Sequence, residues 1–167
     1  MKDNIVLIGM PGCGKSTCGV LVAKALCKSF LDTDLLLQTQ YGAGLQQMID
    51  EKGPAFFAQA ERQVLCALQA RHTVIATGGS AVYYPDAMEH LRHGATVVYL
   101  RVSFACMTAR IRNMSTRGIL LPAGETPQEM FRRREPLYRQ YADATVDCDD
   151  LSVEQTVEAI CLLTNPA

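Results

Sequence analysis

One octapeptide near the start, Gly9-Met10-Pro11-Gly12-Cys13-Gly14-Lys15-Ser16, constrains this chain more than any other stretch. It fits the pattern Gly-x4-Gly-Lys-Ser/Thr, and Thr17 follows directly. Asn4 to Ile8 runs into it as a short apolar strand, and Cys18 to Leu26 leaves it with apolar residues at helical spacing. Strand, glycine loop and helix are the context in which such a loop binds phosphate. Glycines let successive backbone N–H groups curl inward toward phosphate oxygens. The helix N-terminus adds a partial positive charge, and Lys15 a full one. Ser16 places a hydroxyl where a Mg²⁺ bridging two phosphates would sit. Gly12, Cys13, Gly14, Lys15, Ser16 and Thr17 are therefore the candidate nucleotide-binding residues, and a nucleoside triphosphate is the expected ligand.

With 167 residues, 49% of them apolar and 20% charged, the chain reads as one domain spanning 1–167, large enough for a substantial core. No apolar run approaches the ~20 residues of a membrane-spanning helix. Met1-Lys2-Asp3 enters a strand at once and leaves no room for a signal peptide. The seven cysteines are scattered and contain no Cys-x-x-Cys pair, so neither a disulfide framework nor a zinc site is indicated. Cytoplasm is the expected location, and Cys13, in the glycine loop, is the cysteine expected to be exposed. Net charge is −1, which disfavours the broad basic surface needed for nucleic acid. The charge is uneven, however: residues 101–139 hold eight arginines against three glutamates, a pattern suited to handling anions.

Along the chain, five short apolar segments alternate with helical ones. Phe30-Leu31-Asp32-Thr33-Asp34 reads as a strand ending in acids, followed by helical character to Gln40, a short helix over 45–51 and a longer one over 55–71. His72 to Thr77 suits a parallel strand buried on both faces, and Gly78-Gly79-Ser80 is the turn at its carboxyl end. A helix over 85–93 carries His90 and His93, read as surface or capping residues rather than metal ligands. Strand 95–100 leads to a helix with Ser103 as its cap and Arg110 on its length. Residues 113–126 have little periodicity and read as a mobile lid containing Arg117. A helix over 127–141 is expected to be interrupted or kinked by Pro136, and strand 144–147 and a helix capped by Ser152 close the chain. The fold class is α/β: three layers around a five-stranded parallel sheet.

Ligands collect at the carboxyl ends of the strands in such a sheet. The glycine loop, Asp32, Asp34 and Gly78-Gly79-Ser80 all fall there. As alternate residues of an extended segment, Asp32 and Asp34 would share one side, and one carboxylate could hold Mg²⁺ while the other orients a hydroxyl and accepts its proton. A helix-capping role for the pair is the competing reading. Mobile arginines would neutralise a phosphoryl group in transfer. The chemistry indicated is phosphoryl transfer to a small hydroxylated acceptor.

Five segments, Gly-Met-Pro-Gly-Cys-Gly-Lys-Ser-Thr at 9–17, Phe-Leu-Asp-Thr-Asp at 30–34, Val-Ile-Ala-Thr-Gly-Gly at 74–79, Val-Val-Tyr-Leu at 97–100 and Arg-Glu-Pro-Leu-Tyr at 134–138, together resemble the shikimate kinase family. The resemblance covers nearly the whole chain in order. It implies the P-loop, nucleoside-monophosphate-kinase-like fold, acceptor-binding helices at about 33–61 and a closing lid at about 113–126. ATP and Mg²⁺ would be the cofactors and shikimate the default acceptor, with a monomeric cytoplasmic enzyme of aromatic amino acid biosynthesis as the setting. Lys15 would bind phosphates, Ser16 with Asp32 would hold the metal, and Asp34 would contact the acceptor hydroxyl. Arg117 would meet the transferred phosphate, Arg110 would lie near adenine, and Arg134 would bind the acceptor carboxylate.

Three departures fall where the acceptor should sit. An arginine that helps hold the shikimate carboxylate in the family is Ala58 here, within Phe57-Ala58-Gln59-Ala60-Glu61. The usual third glycine after Gly78-Gly79 is Ser80, adding a side chain where backbone approaches the ligand. The lid's Arg-Pro-Leu-Leu is Arg117-Gly118-Ile119-Leu120. One missing arginine weakens binding by roughly ten- to a hundredfold, the size of a hydrogen bond to a charged group. Two further readings follow: a kinase of the same fold for another polyol acid or a nucleotide, and a nucleotide-binding regulator without catalysis.

Overall fold

The computed structural model describes residues 2–111 and 124–164. Five parallel strands, β1 (Asn4–Ile8), β2 (Ser29–Asp32), β3 (Thr73–Ala76), β4 (Ala95–Arg101) and β5 (Ala144–Asp147), form one sheet in the order β2-β3-β1-β4-β5. The central strands are apolar nearly throughout because helices cover both faces, so no alternation with polar residues is needed. Ile5 lies opposite Val74 on one side and Thr96 on the other, and this register continues along β1. The crossover from β1 to β2 runs toward one edge and every later crossover runs toward the other. Right-handed connections therefore put α1 (Lys15–Ala25) on one face and the intervening helices on the opposite face. The last helix, α8 (Val153–Thr164), packs beside α1. This reversal makes the end of β1 the switch point of the sheet, and the glycine loop begins there.

Between β2 and β3 lie α2 (Thr33–Tyr41), α3 (Leu45–Lys52) and α4 (Pro54–Ala67). They share a small core of Leu37, Leu45, Met48, Phe57, Ala60 and Val64, separate from the main core under the sheet. After β3 a 3-10 turn (Ala81–Tyr83) precedes α5 (Pro85–His93); α6 (Phe104–Ile111) and α7 (Pro127–Tyr141) follow β4. Pro at the first helical position starts α4, α5 and α7, where its missing N–H costs nothing. Thr126 and Glu129 form a reciprocal capping box on α7, and Ser152 and Gln155 exchange the same pair of bonds at α8.

Four expectations need correction. The segment 30–34 is not extended throughout: β2 stops at Asp32, whose carboxylate caps α2, so Thr33 and Asp34 are already helical. Helix α4 ends at Ala67 rather than Arg71, and His90 of α5 meets the Leu68 carbonyl just beyond it at 2.6 Å. Cys13 is 2% exposed, because its sulfur is turned under the loop; the exposed cysteine is Cys27. Pro136 lies within α7 without ending it, so of the two effects expected of it interruption does not occur. The lid at 113–126, with Arg117, lies outside the described residues except for its last three positions. Among the described residues no helix is long and apolar enough to cross a membrane, and no group of three or more His, Cys, Asp or Glu could hold a metal ion.

Candidate active site

The phosphate side is assembled by the loop itself. Gly9 and Gly14 have φ of 150° and 96°, which side-chain-bearing residues rarely adopt, and a Cβ at Gly9 would lie 2.6 Å from the Leu100 carbonyl oxygen. Gly14 turns the chain into α1, so the helix opens at Lys15 with its N–H groups facing the loop. Lys15 Nζ donates to the carbonyls of Gly9 at 2.7 Å and Met10 at 2.8 Å. These bonds hold the ammonium against the loop. From α6, Arg110 donates to the Gly12 carbonyl at 3.3 Å and so lies over the same loop.

Asp32 caps α2 and meets the loop hydroxyl with the same carboxylate. Its Oδ1 accepts from the backbone N–H groups of Asp34 and Leu35, while Oδ2 accepts from Ser16 Oγ at 2.5 Å. Capping fixes the carboxylate, and the fixed carboxylate meets the loop hydroxyl. Two adjoining oxygens, one of them anionic, are the donor set a hard divalent cation takes alongside phosphate oxygens. The residues present fit Mg²⁺.

The residues expected to meet the acceptor come from three separated helices and the turn after β3. Gly78 and Gly79 are required by close approach. A Cβ at Gly78 would lie 2.7 Å from both Asp34 Oδ1 and Glu61 Oε1, and one at Gly79 would lie 2.8 Å from Arg134 Nη1. Asp34 from α2, Glu61 from α4 and Arg134 from α7 thus converge on two glycines. Tyr138, one turn after Arg134, donates to the Gly79 carbonyl at 2.6 Å and fixes the turn to α7. Of the run Arg132-Arg133-Arg134, only Arg134 is buried, at 1% exposure.

Glu61 is 3% exposed, and its Oε2 accepts from Ser80 Oγ at 2.6 Å and Tyr84 OH at 2.8 Å. Its Oε1 has no hydrogen-bond partner among the described residues. Burial raises its pKa to about 7; the Ser80 and Tyr84 bonds oppose that rise, Asp34 adds to it and Arg134 opposes it. The Ser80 side chain, expected to intrude where ligand meets backbone, instead spends its hydroxyl on Glu61. Ala58 lies one helical turn before Glu61 and is half-buried. The other arginines of the 101–139 cluster are partly absorbed by neighbouring acids: Arg101 with Asp147, Arg133 with Glu125 and Arg139 with Glu135.

Sequence reasoning thus named residues that the structure brings together: Lys15, Ser16 and Asp32 on one side, Asp34, Gly78, Gly79, Ser80 and Arg134 on the other. It missed Tyr83, Tyr84 and Tyr138, and it quoted Glu61 only as a landmark. Tyr138 carried a signal, its i, i+4 spacing from Arg134, and Glu61 carried another, its i, i+3 spacing from Ala58. Tyr83 and Tyr84 had none beyond adjacency to the glycine turn.

A sequence model of the family described as Shikimate kinase matches residues 11–164. The chain belongs to the shikimate kinase family. The shikimate kinase of Thiobacillus denitrificans is 36% identical over 155 residues, covering 91% of this chain and 85% of that one. That of Chlorobium chlorochromatii is 37% identical over 167 residues, covering 93% and 87%. Among solved structures, shikimate kinase from Acinetobacter baumannii in complex with shikimate superposes with a TM-score of 0.88 at 29% identity, over 96% of this chain and 92% of that one. The α/β architecture is accordingly the P-loop kinase fold that this family shares.

Proposed function

We propose that this protein is an ATP-dependent shikimate kinase, forming shikimate 3-phosphate for aromatic amino acid biosynthesis. The observation that carries the reading is the convergence of Asp34, Glu61 and Arg134 on Gly78-Gly79, beside a complete phosphate loop. A carboxylate for the hydroxyl proton and a buried cation for an acceptor carboxylate are what a hydroxylated acid requires. Family membership and the shikimate-bound Acinetobacter relative support the same acceptor.

In this reading Arg134 holds the acceptor by its carboxylate and sets one hydroxyl toward Asp34. Asp34 orients that hydroxyl and takes its proton as the oxygen bonds to the γ-phosphorus; the bond from that phosphorus to the β–γ bridging oxygen breaks, and ADP leaves. Lys15 exchanges loop carbonyls for phosphate oxygens and offsets their charge. Ser16 and Asp32 would hold Mg²⁺, which when bound neutralises charge on the β- and γ-phosphates. The loop residues Gly12, Cys13, Gly14 and Thr17 line the phosphates, Arg110 lies toward adenine, and Arg117 of the 113–126 lid meets the transferred group. We assign 1–167 to one domain, with 33–61 as the acceptor-binding helices, in a cytoplasmic monomer. Retention of Lys15, Asp32 and Asp34 disfavours a regulator without catalysis.

The test is ADP release with ATP and Mg²⁺ across shikimate, quinate and gluconate, with the product read by ³¹P NMR. Shikimate should be phosphorylated fastest, and Asp34→Asn should slow turnover by about 10²–10⁴-fold, the span of a general base. Absence of transfer to millimolar shikimate, with another acceptor turning over, would replace shikimate as the substrate. ATP binding without transfer to any acceptor would restore the regulator.

A further inference from the structure

Arg134 is buried, so its usefulness to an acceptor carboxylate depends on how its guanidinium plane is set. A two-pronged bond to a carboxylate forms only when that plane is fixed. Tyr83, the last residue of the 3-10 turn after Gly78-Gly79-Ser80, meets it in two ways. Arg134 Nε donates to the Tyr83 hydroxyl at 3.0 Å, and its guanidinium carbon lies 5.1 Å from the ring centroid. The neighbouring Arg133 does the same: its Nε donates to the same hydroxyl at 3.2 Å, and its guanidinium lies 5.0 Å from the ring. Arg133 Nη2 in turn donates to Glu125 Oε2 at 2.8 Å, and that glutamate side chain is only 11% exposed. The tyrosine oxygen thus accepts twice, which uses both of its lone pairs, and its ring lies against two cations.

Resting on the proposed role of Arg134, we infer that Tyr83 is a positioning residue for acceptor recognition. It anchors Arg134 through Nε and so fixes the guanidinium plane in which Nη1 approaches Gly79. Arg133 and Glu125 hold Tyr83 from the other side, so a chain of contacts runs from the foot of α7 to the carboxylate-binding group. Ala58 sharpens the need. Without an arginine there, recognition of the acid falls more heavily on Arg134, and an arginine swung out of plane loses its second bond. Phenylalanine at 83 would keep the ring and lose the anchor; leucine would lose both.

The experiment compares shikimate with its methyl ester, which lacks the carboxylate charge, in the wild type, Tyr83→Phe, Tyr83→Leu and Arg134→Lys. Tyr83→Phe should raise the KM for shikimate by about tenfold, the size of one hydrogen bond to a charged group. Its KM for ATP should not move, and its kcat/KM for the ester should stay within about twofold, a difference below the weakest net hydrogen bond. Tyr83→Leu should lose more of the preference for acid over ester. Equal slowing on acid and ester, or an unchanged KM for the acid, would overturn the inference. A preference lost in Arg134→Lys but kept in Tyr83→Leu overturns the role of Tyr83 alone, whereas one kept in Arg134→Lys overturns the carboxylate role of Arg134. Independently of turnover, the Nε–H of Arg134 should exchange with water faster in Tyr83→Phe by ¹⁵N NMR; equal exchange rates would remove the anchor.

Discussion

The two halves of the site are built in opposite ways. On the candidate donor side, nine consecutive residues and one aspartate from the next strand make the phosphate cradle, and its key groups are already bonded within it. Lys15 rests on loop carbonyls, and Ser16 donates to Asp32. On the acceptor side, groups from α2, α4, α7 and the turn after β3 must meet across separate elements. There one buried carboxylate oxygen, Glu61 Oε1, lacks a partner among the described residues. The donor half binds what every kinase of this fold binds, so local chain geometry suffices. On the proposed reading the acceptor half must recognise one molecule, which takes groups that only tertiary packing can bring together.

The largest effect should follow from breaking the donor half. Lys15→Met removes the cation and leaves the carbonyls of Gly9 and Met10 without their donor. Turnover should fall by about 10²–10³-fold, as for loss of one preorganised donor to a developing charge. Because the lysine acts on phosphate rather than on the acceptor, the KM for shikimate should change little. A rise in that KM comparable to the fall in kcat would show that the two halves are not separable.

On the acceptor half, Ala58→Arg should act in the opposite direction. The new side chain would lie one helical turn from Glu61, within reach of its Oε1, which has no partner among the described residues, and, on the proposed reading, of the acceptor carboxylate assigned to Arg134. Shikimate should bind roughly tenfold tighter, the lower bound for a hydrogen bond between charged groups. Calorimetric titration of both forms measures it. Unchanged affinity would mean that Tyr83, Tyr84 and Ser80 already compensate for the missing arginine.

This asymmetry also explains what could be read from the chain. The five strands, the phosphate loop and the limits of α5, α7 and β5 follow from local pattern: apolar runs, proline at the first helical position and capping pairs. The order of the strands in the sheet does not, because it is set by which crossovers pack where. The Asp32 cap is equally local, yet the segment 30–34 looks extended because its period-two acids suit a strand as well as a helix start. Only the competition for the carboxylate, settled by the N–H groups of Asp34 and Leu35, ends β2 at Asp32. The Glu61–Ser80–Tyr84 triangle joins positions about twenty residues apart through tertiary packing alone. Ser80 therefore looked like an obstruction in a glycine turn, when its hydroxyl has a buried acceptor to satisfy.

The smallest expected effect tests that triangle through pH. Glu61 titrates near 7 in the folded protein against an ordinary 4.5, so between those values the native state holds a proton that the unfolded chain has released. The native state then binds more protons than the unfolded one, and the stability from this group falls as pH rises toward 7 and levels off above it. Between pH 6 and pH 8 the loss is about 1 kcal/mol. At this chain length that corresponds to a Tm shift of roughly 2–4 °C. Glu61→Gln should abolish that part of the pH dependence, whereas Ser80→Ala, by removing a bond that favours the ionised form, should carry it to higher pH. Ala58→Arg should flatten it, since a cation beside Glu61 restores ionisation. Thermal melts of the four proteins at pH 6, 7 and 8 give the ordering directly. If Ser80→Ala and Ala58→Arg moved the dependence in the same direction, the carboxylate would not be the element that sets this half of the site apart.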